Sequence, residues 1–120
     1  FTYIDDIIES IIRLIKKPPE NNESFNTNKP SPESSWAPHR ILNIGNSKPE
    51  ALLDYIHAIE DELGIEAKKD YLPIQPGDVP STCSDCSILE NLINYKPKTP
   101  IKKGINNFIK WYKEFYGIQG

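Results

Sequence analysis

The chain has 120 residues, 38% of them apolar, with 17 acidic and 14 basic side chains and a formal net charge of −3. That length suits a single domain with a modest core, and Lys and Arg are scattered rather than clustered, which argues against a nucleic-acid footprint. No apolar run approaches the length of a membrane span and no signal-peptide pattern opens the chain, so a soluble protein with neither nucleic acid nor membrane as partner is expected.

FTYIDD has the β-branched and aromatic content of a short strand. Asp6 and Glu9 read as a capping-box pair opening the helix DIIESIIRLIKK, with the Asp5–Asp6 pair also favoured by the helix dipole. Its isoleucines make a broad apolar stripe, and Pro18 and Pro19 stop it. Residues 18–38 are rich in Pro, Asn, Ser and Glu and predict a surface loop. RILNIGN predicts a strand ending at Gly45. Ser47, Pro49 and Glu50 then read as an N-cap, an early helical proline and a capping box. The helix EALLDYIHAIEDELG is expected to bury Leu52, Leu53, Ile56, Ile59 and Leu63 and to close at Gly64. His57 lies beside that stripe with no ligand partner in sight.

AKKDYLPI predicts a third strand leading into LPIQPGDVPSTCSD. Pro76 fixes its own φ and Gly77 reaches conformations closed to other residues, so Gln75 and Asp78 are presented from a stiff bend. Taken on composition alone, this is a polar turn. Ser87 and Glu90 cap a short helix around ILENLI. Thr99 and Pro100 begin a last one, IKKGINNFIKWYKEFYG, whose Ile101, Ile105, Phe108, Ile109 and Tyr112 recur at helical spacing, with Trp111, Phe115 and Tyr116 widening the face. An aromatic stripe of this kind is read as packing. Strands alternating with helices predict an α/β fold.

Several chemistries have no carrier in the sequence. There is neither a GxGxxG nor a GxxxxGK loop, and none of the six tyrosines is followed four residues later by lysine. Cys83 and Cys86 form a CxxC, but a structural zinc site needs four ligands, and His39 and His57 stand apart from the pair. The pair precedes a helix, as a redox CxxC does, which is the alternative to the expectation of two buried, inert thiols with no metal site. The chain contains no methionine and begins inside an apolar stretch, which reads as a piece of a longer protein.

Taken in order, FTYIDDIIESIIRLI, ILNIGNSKPEALLDYIHAIEDELG, LPIQPGDVPSTCSD and NYKPKTPIKKGINNFIKWYKEFY resemble the C-terminal region of nucleotide-sugar epimerases. These are extended short-chain dehydrogenase/reductases, and the likeness is greatest to UDP-glucuronate 4-epimerases of the capsule-biosynthesis type. YIDDI, NIGN and QPGDV carry it, and it spans the chain apart from residues 18–38. The resemblance implies that residues 1–120 form a C-terminal UDP-sugar-binding domain. The Rossmann domain, with its NAD motif and Tyr-x-x-x-Lys pair, would lie outside this chain. It implies a cytoplasmic enzyme that oxidises C4 of the sugar transiently through NAD and returns the hydride to the opposite face. This chain alone would be inactive, with homodimerisation or other self-association expected. Substrate contacts are implied at Asp78 (uridine ribose hydroxyls), Gln75 (where galactose epimerases place a diphosphate-binding Arg) and Thr82 (the sugar end of the pocket). The CxxC would be incidental. Rival readings are a dehydratase, decarboxylase or other epimerase of the same superfamily, and a non-catalytic interaction module on the same fold.

Overall fold

The computed structural model describes residues 1–31 and 33–118. Four helices carry the fold: α1 (Ile4–Ile15), α2 (Leu52–Leu63), α3 (Ser87–Ile93) and α4 (Ile101–Tyr116). They pack as two pairs, α2 with α4 and α1 with α3. In the first pair Ala58, Ile105 and Ile109 are buried, and Tyr55, Ile59, Leu63 and Ile101 pack around them. In the second, Cys86, Leu89 and Ile93 are buried beneath Leu14, Leu42, Ile44, Leu92 and Tyr95.

All four expected helices form, with shifted ends, although the Ser87–Glu90 cap expected for α3 does not: its N-cap is Cys86, with no side-chain bond. α1 begins at Ile4, inside the segment expected to be a strand, because Tyr3 takes an extended N-cap conformation and Asp5 and Asp6 fall in the first turn. There they complement the dipole. The Asp6–Glu9 capping box does not form: no side chain caps this helix, and Asp6 is used elsewhere. α2 likewise starts after Ala51 with no side-chain cap, so the Ser47–Glu50 capping box does not form, and Glu50 pairs with Lys48. Leu52 and Leu53, expected to be core, are exposed. The face of α2 that meets α4 runs through Tyr55, Ala58, Ile59 and Leu63. Gly64 closes α2 as expected, in the left-handed region at φ 68°, with its N–H bonded to Glu60 O at 2.8 Å.

The expected alternation of strands and helices is not found: the described chain is mostly helical. Among the described residues the β pairing is a single bridge, Ser34 with Arg40. Residues 41–46 and 66–74 are irregular. β-branched composition makes a strand only where a neighbouring strand satisfies its backbone groups, and among the described residues no such neighbour lies alongside them. The described residues of the loop 18–38 hold turns and bends and are drawn together by Asn22 N donating to Trp36 O at 3.1 Å.

Two short segments tie the helix pairs together. Phe1 stacks on Tyr55 of α2 with ring centroids 4.2 Å apart. Tyr3 lies so close to α4 that a Cβ on Gly104 would stand 3.2 Å from its ring. Further along, the link between α3 and α4 is gripped by Asp6 of α1. The chain stays open around these ties, with a radius of gyration of 19.1 Å against about 14 Å for a compact domain of this length. Ile4, Ile8, Ile11, Ile12 and Ile15 of α1 are 42–74% exposed. The aromatic stripe of α4 also faces outward: Phe108, Trp111, Phe115 and Tyr116 are exposed and pack on one another, Trp111 against Phe115 at 5.3 Å.

Candidate functional site

The bend expected at 75–78 is a type II turn. Pro76 and Gly77 occupy its centre, Gly77 has φ 96°, and Asp78 N donates to Gln75 O at 3.1 Å, which is the geometry that demands glycine at the third position. Gln75 is exposed, and its Nε2 donates to Pro73 O at 3.2 Å. Asp78 is exposed as well. Among the described residues its carboxylate has no hydrogen-bond donor, so both oxygens are open to a ligand.

Thr82 sits in a different setting. It lines an open cleft of ≈ 960 Å³, walled by residues 1–2, 43–46, 48–52 and 79–84. Side chains fasten the walls together. Thr2 Oγ1 accepts from Asn46 N at 3.0 Å, and Asn43 Nδ2 donates to Asp85 O at 3.2 Å. Cys86 Sγ donates to Gly45 O and Cys83 Sγ to Ser47 O, both at 3.3 Å. Gly45 is required by proximity: a Cβ there would lie 3.1 Å from both Cβ and Oγ of Ser84, tight enough that one wall would have to shift. Of the three residues expected to touch substrate, only Thr82 lies on this cleft. Gln75 and Asp78 stand on the turn upstream of it, outside its lining.

The expectation of two buried thiols holds for one. Cys86 is 2% exposed, whereas Cys83 is exposed on the cleft wall. Among the described residues no three His, Cys, Asp or Glu side chains gather into a metal-binding group.

One buried polar group was not legible as such in the sequence. Asp6 is 6% exposed. Its Oδ1 accepts from Tyr95 Oη at 2.7 Å, and its Oδ2 from the backbone N–H groups of Thr99 at 2.8 Å and Lys98 at 3.1 Å. Burial alone would raise its pKa, but the hydrogen bonds from Tyr95, Thr99 and Lys98 outweigh it and hold the carboxyl below the ordinary 3.8. Burial, then the bond to Asp6, push the Tyr95 phenol up to about 12. The Arg13 guanidinium lies 4.8 Å from the centre of the Tyr95 ring. Asp6 and Tyr95 face the packed link between helices and not the cleft, so their work is to hold the fold.

Comparison with known proteins places this geometry in a context. No family model matches the chain. It is 47% identical to "Protein CapI" of Staphylococcus aureus over 116 residues, 97% of this chain and 35% of that protein. It is 37% identical over 117 residues to the "Probable UDP-glucuronate 4-epimerase" of Rhizobium meliloti, covering 97% of this chain and 34% of that protein. Against "UDP-glucuronate 4-epimerase 1" of Arabidopsis thaliana the identity is 31% over 118 residues, 98% of this chain and 26% of that protein.

The chain is a relative of UDP-glucuronate 4-epimerases. It spans about a third of the length of the curated relatives it matches. The likeness runs along 97% of the chain.

Proposed function

We propose that the chain is the C-terminal UDP-sugar-binding part of an NAD-dependent nucleotide-sugar 4-epimerase that interconverts UDP-glucuronate and UDP-galacturonate. The observation that carries this is likeness along 97% of the chain or more to proteins named as UDP-glucuronate 4-epimerases. On this reading the Asp78 carboxylate accepts the two uridine ribose hydroxyls, Gln75 approaches the diphosphate and Thr82 meets the sugar end. Supporting it are the stiff turn that presents Asp78 with both oxygens open, and the position of Thr82 on a cleft with room for a sugar.

The chain's own residues do not fit NAD. Its six glycines include no Gly-x-Gly, so no backbone cradle for a pyrophosphate is formed. In the whole enzyme NAD supplies the transient oxidation at C4, and on this reading it is held by residues outside this chain. Among the described residues no helix is long and apolar enough to cross a membrane, and a cytoplasmic enzyme, where both NAD and UDP-sugars are found, is part of the same proposal.

The test is Asp78→Ala in the full-length enzyme, with UDP titrated calorimetrically. Loss of charge-assisted bonds to the ribose costs on the order of 2–3 kcal/mol, or a ~30- to 150-fold weaker affinity. NAD binding and thermal stability should stay as in wild type. Unchanged UDP affinity with a lowered melting temperature would reduce Asp78 to a turn residue and defeat the site assignment.

A further inference from the structure

We infer that Glu60 is a positioning residue for the proposed nucleotide contact: through Ala67 and Lys69 it anchors the arm of chain that carries Asp78. The inference deepens the proposed function and rests on it. Glu60 lies in the last turn of α2 and holds the chain that leaves this helix with both its backbone and its side chain. Its carbonyl accepts from Gly64 N at 2.8 Å and from Ile65 N at 3.3 Å. Its Oε1 accepts from Ala67 N at 2.7 Å and from the Lys69 ammonium. The two side chains of this ion pair are mostly covered, Glu60 12% and Lys69 18% exposed, unlike the freely solvated pairs that contribute nothing measurable.

Beyond Lys69 the chain meets no further anchor until Cys83 Sγ donates to Ser47 O. Among the described residues, the hydrogen bonds made by residues 70–82 stay within that segment: Asp78 N to Gln75 O and Gln75 Nε2 to Pro73 O. Packing does not substitute for them, since Tyr71, Leu72, Ile74 and Val79 are 64–73% exposed. The arm is stiff all the same. Pro73 and Pro76 fix their own φ and keep the residues before them extended, so a shift at Lys69 is carried along to Asp78. Residues 70–78 reach up to roughly 30 Å at full extension. Freeing their root therefore opens many positions to the Asp78 carboxylate, few of which meet a given ribose. A group in place for only part of the time binds with an affinity reduced by that fraction.

The experiment titrates UDP calorimetrically into the full-length protein and into Glu60→Ala, Lys69→Met, Asp78→Ala and the Glu60→Ala Asp78→Ala double variant, with a melting curve for each. Glu60→Ala removes the acceptor of both Ala67 N and Lys69 and should weaken UDP about fivefold, the upper end for such a clamp. Lys69→Met leaves α2 untouched and should weaken UDP about twofold. With Asp78 already replaced, the change at Glu60 should cost nothing further, because no carboxylate is left to place. A lowered melting temperature with unchanged UDP affinity in both single clamp variants would make the clamp merely structural and overturn the inference. A Glu60→Ala loss that persists undiminished without Asp78 would overturn it too. If Asp78→Ala itself leaves UDP affinity intact, the site assignment in the proposed function fails, and the inference falls with it.

Discussion

Replacing Asp6 by alanine removes the one acceptor shared by three donors from the link between α3 and α4. The Tyr95 hydroxyl at 2.7 Å and the Thr99 and Lys98 amides at 2.8 and 3.1 Å all lose their partner. A hydrogen bond to a charged group contributes about 1.5–3 kcal/mol net, but the three share one carboxylate and do not add. Lys98 is also exposed, so water can take up part of its loss. We therefore expect Asp6→Ala to cost about 3–4 kcal/mol, and Asp6→Asn, which keeps an acceptor but no charge, about half that. Tyr95→Phe removes one donor and should cost about 1 kcal/mol, and the double-mutant cycle should show coupling of about 1 kcal/mol or more. Urea denaturation followed by circular dichroism measures each. Hydrogen exchange reads the same network locally, since the Thr99 and Lys98 amides should lose protection in Asp6→Ala before the α2–α4 core does. A cost below about 1 kcal/mol with those two amides still protected would show that the carboxylate is not what holds the link.

Alkali should reach the same network through its other partner. Tyr95 has a folded-state pKa raised from 10.0 to about 12, so its contribution is fully present below pH 10.0 and is lost as pH rises through about 12. Asp6, with its pKa lowered from 3.8, contributes above that value and loses its contribution as pH falls through its depressed folded-state pKa. Denaturation midpoints across pH, with tyrosinate absorbance in wild type and Tyr95→Phe, check both signs; an alkaline decline unaffected by Tyr95→Phe would contradict the first. The exposed isoleucines of α1 form an apolar face of the kind that finds a partner, so the 120-residue chain should self-associate. Light scattering is the check, and Ile8→Lys with Ile12→Lys should shift the chain toward monomer. A clean wild-type monomer at high concentration would count against it.

Local physics made the helices and the bend readable in advance. Apolar spacing marked α1, α2 and α4, while α3 was read from a Ser87–Glu90 cap that does not form, its N-cap being Cys86 with no side-chain bond; the Pro76–Gly77 pair marked a turn whose type the positive φ of Gly77 then fixed. What escaped was whatever depends on a distant neighbour. Asp6 in a first turn looks the same whether it caps its own helix or reaches across the molecule, and its partners stand 89 to 93 residues away. The segments 40–46 and 67–74 have strand composition, yet a strand is a property of two segments and each was read alone. Leu52 and Leu53 obeyed helical period, but which side of α2 is inner was decided by where α4 lies. The candidate site divides the same way. The turn presenting Gln75 and Asp78 is local and was visible, whereas the cleft holding Thr82 exists only because residues 43–46 meet 81–86.

The span between Asp6 and Thr99 also sets a schedule for the newborn chain. The Asp6 carboxylate cannot find its Thr99 amide until 93 further residues have been made, which at ~5–20 residues per second takes about 5–20 s on the ribosome. Until then α1 lacks its clamp, and until residue 93 it lacks α3 as well, so its isoleucine-rich surface is available to chaperones. Slowing elongation through residues 87–99 should therefore lengthen chaperone occupancy, and Asp6→Ala should prolong it beyond the end of synthesis.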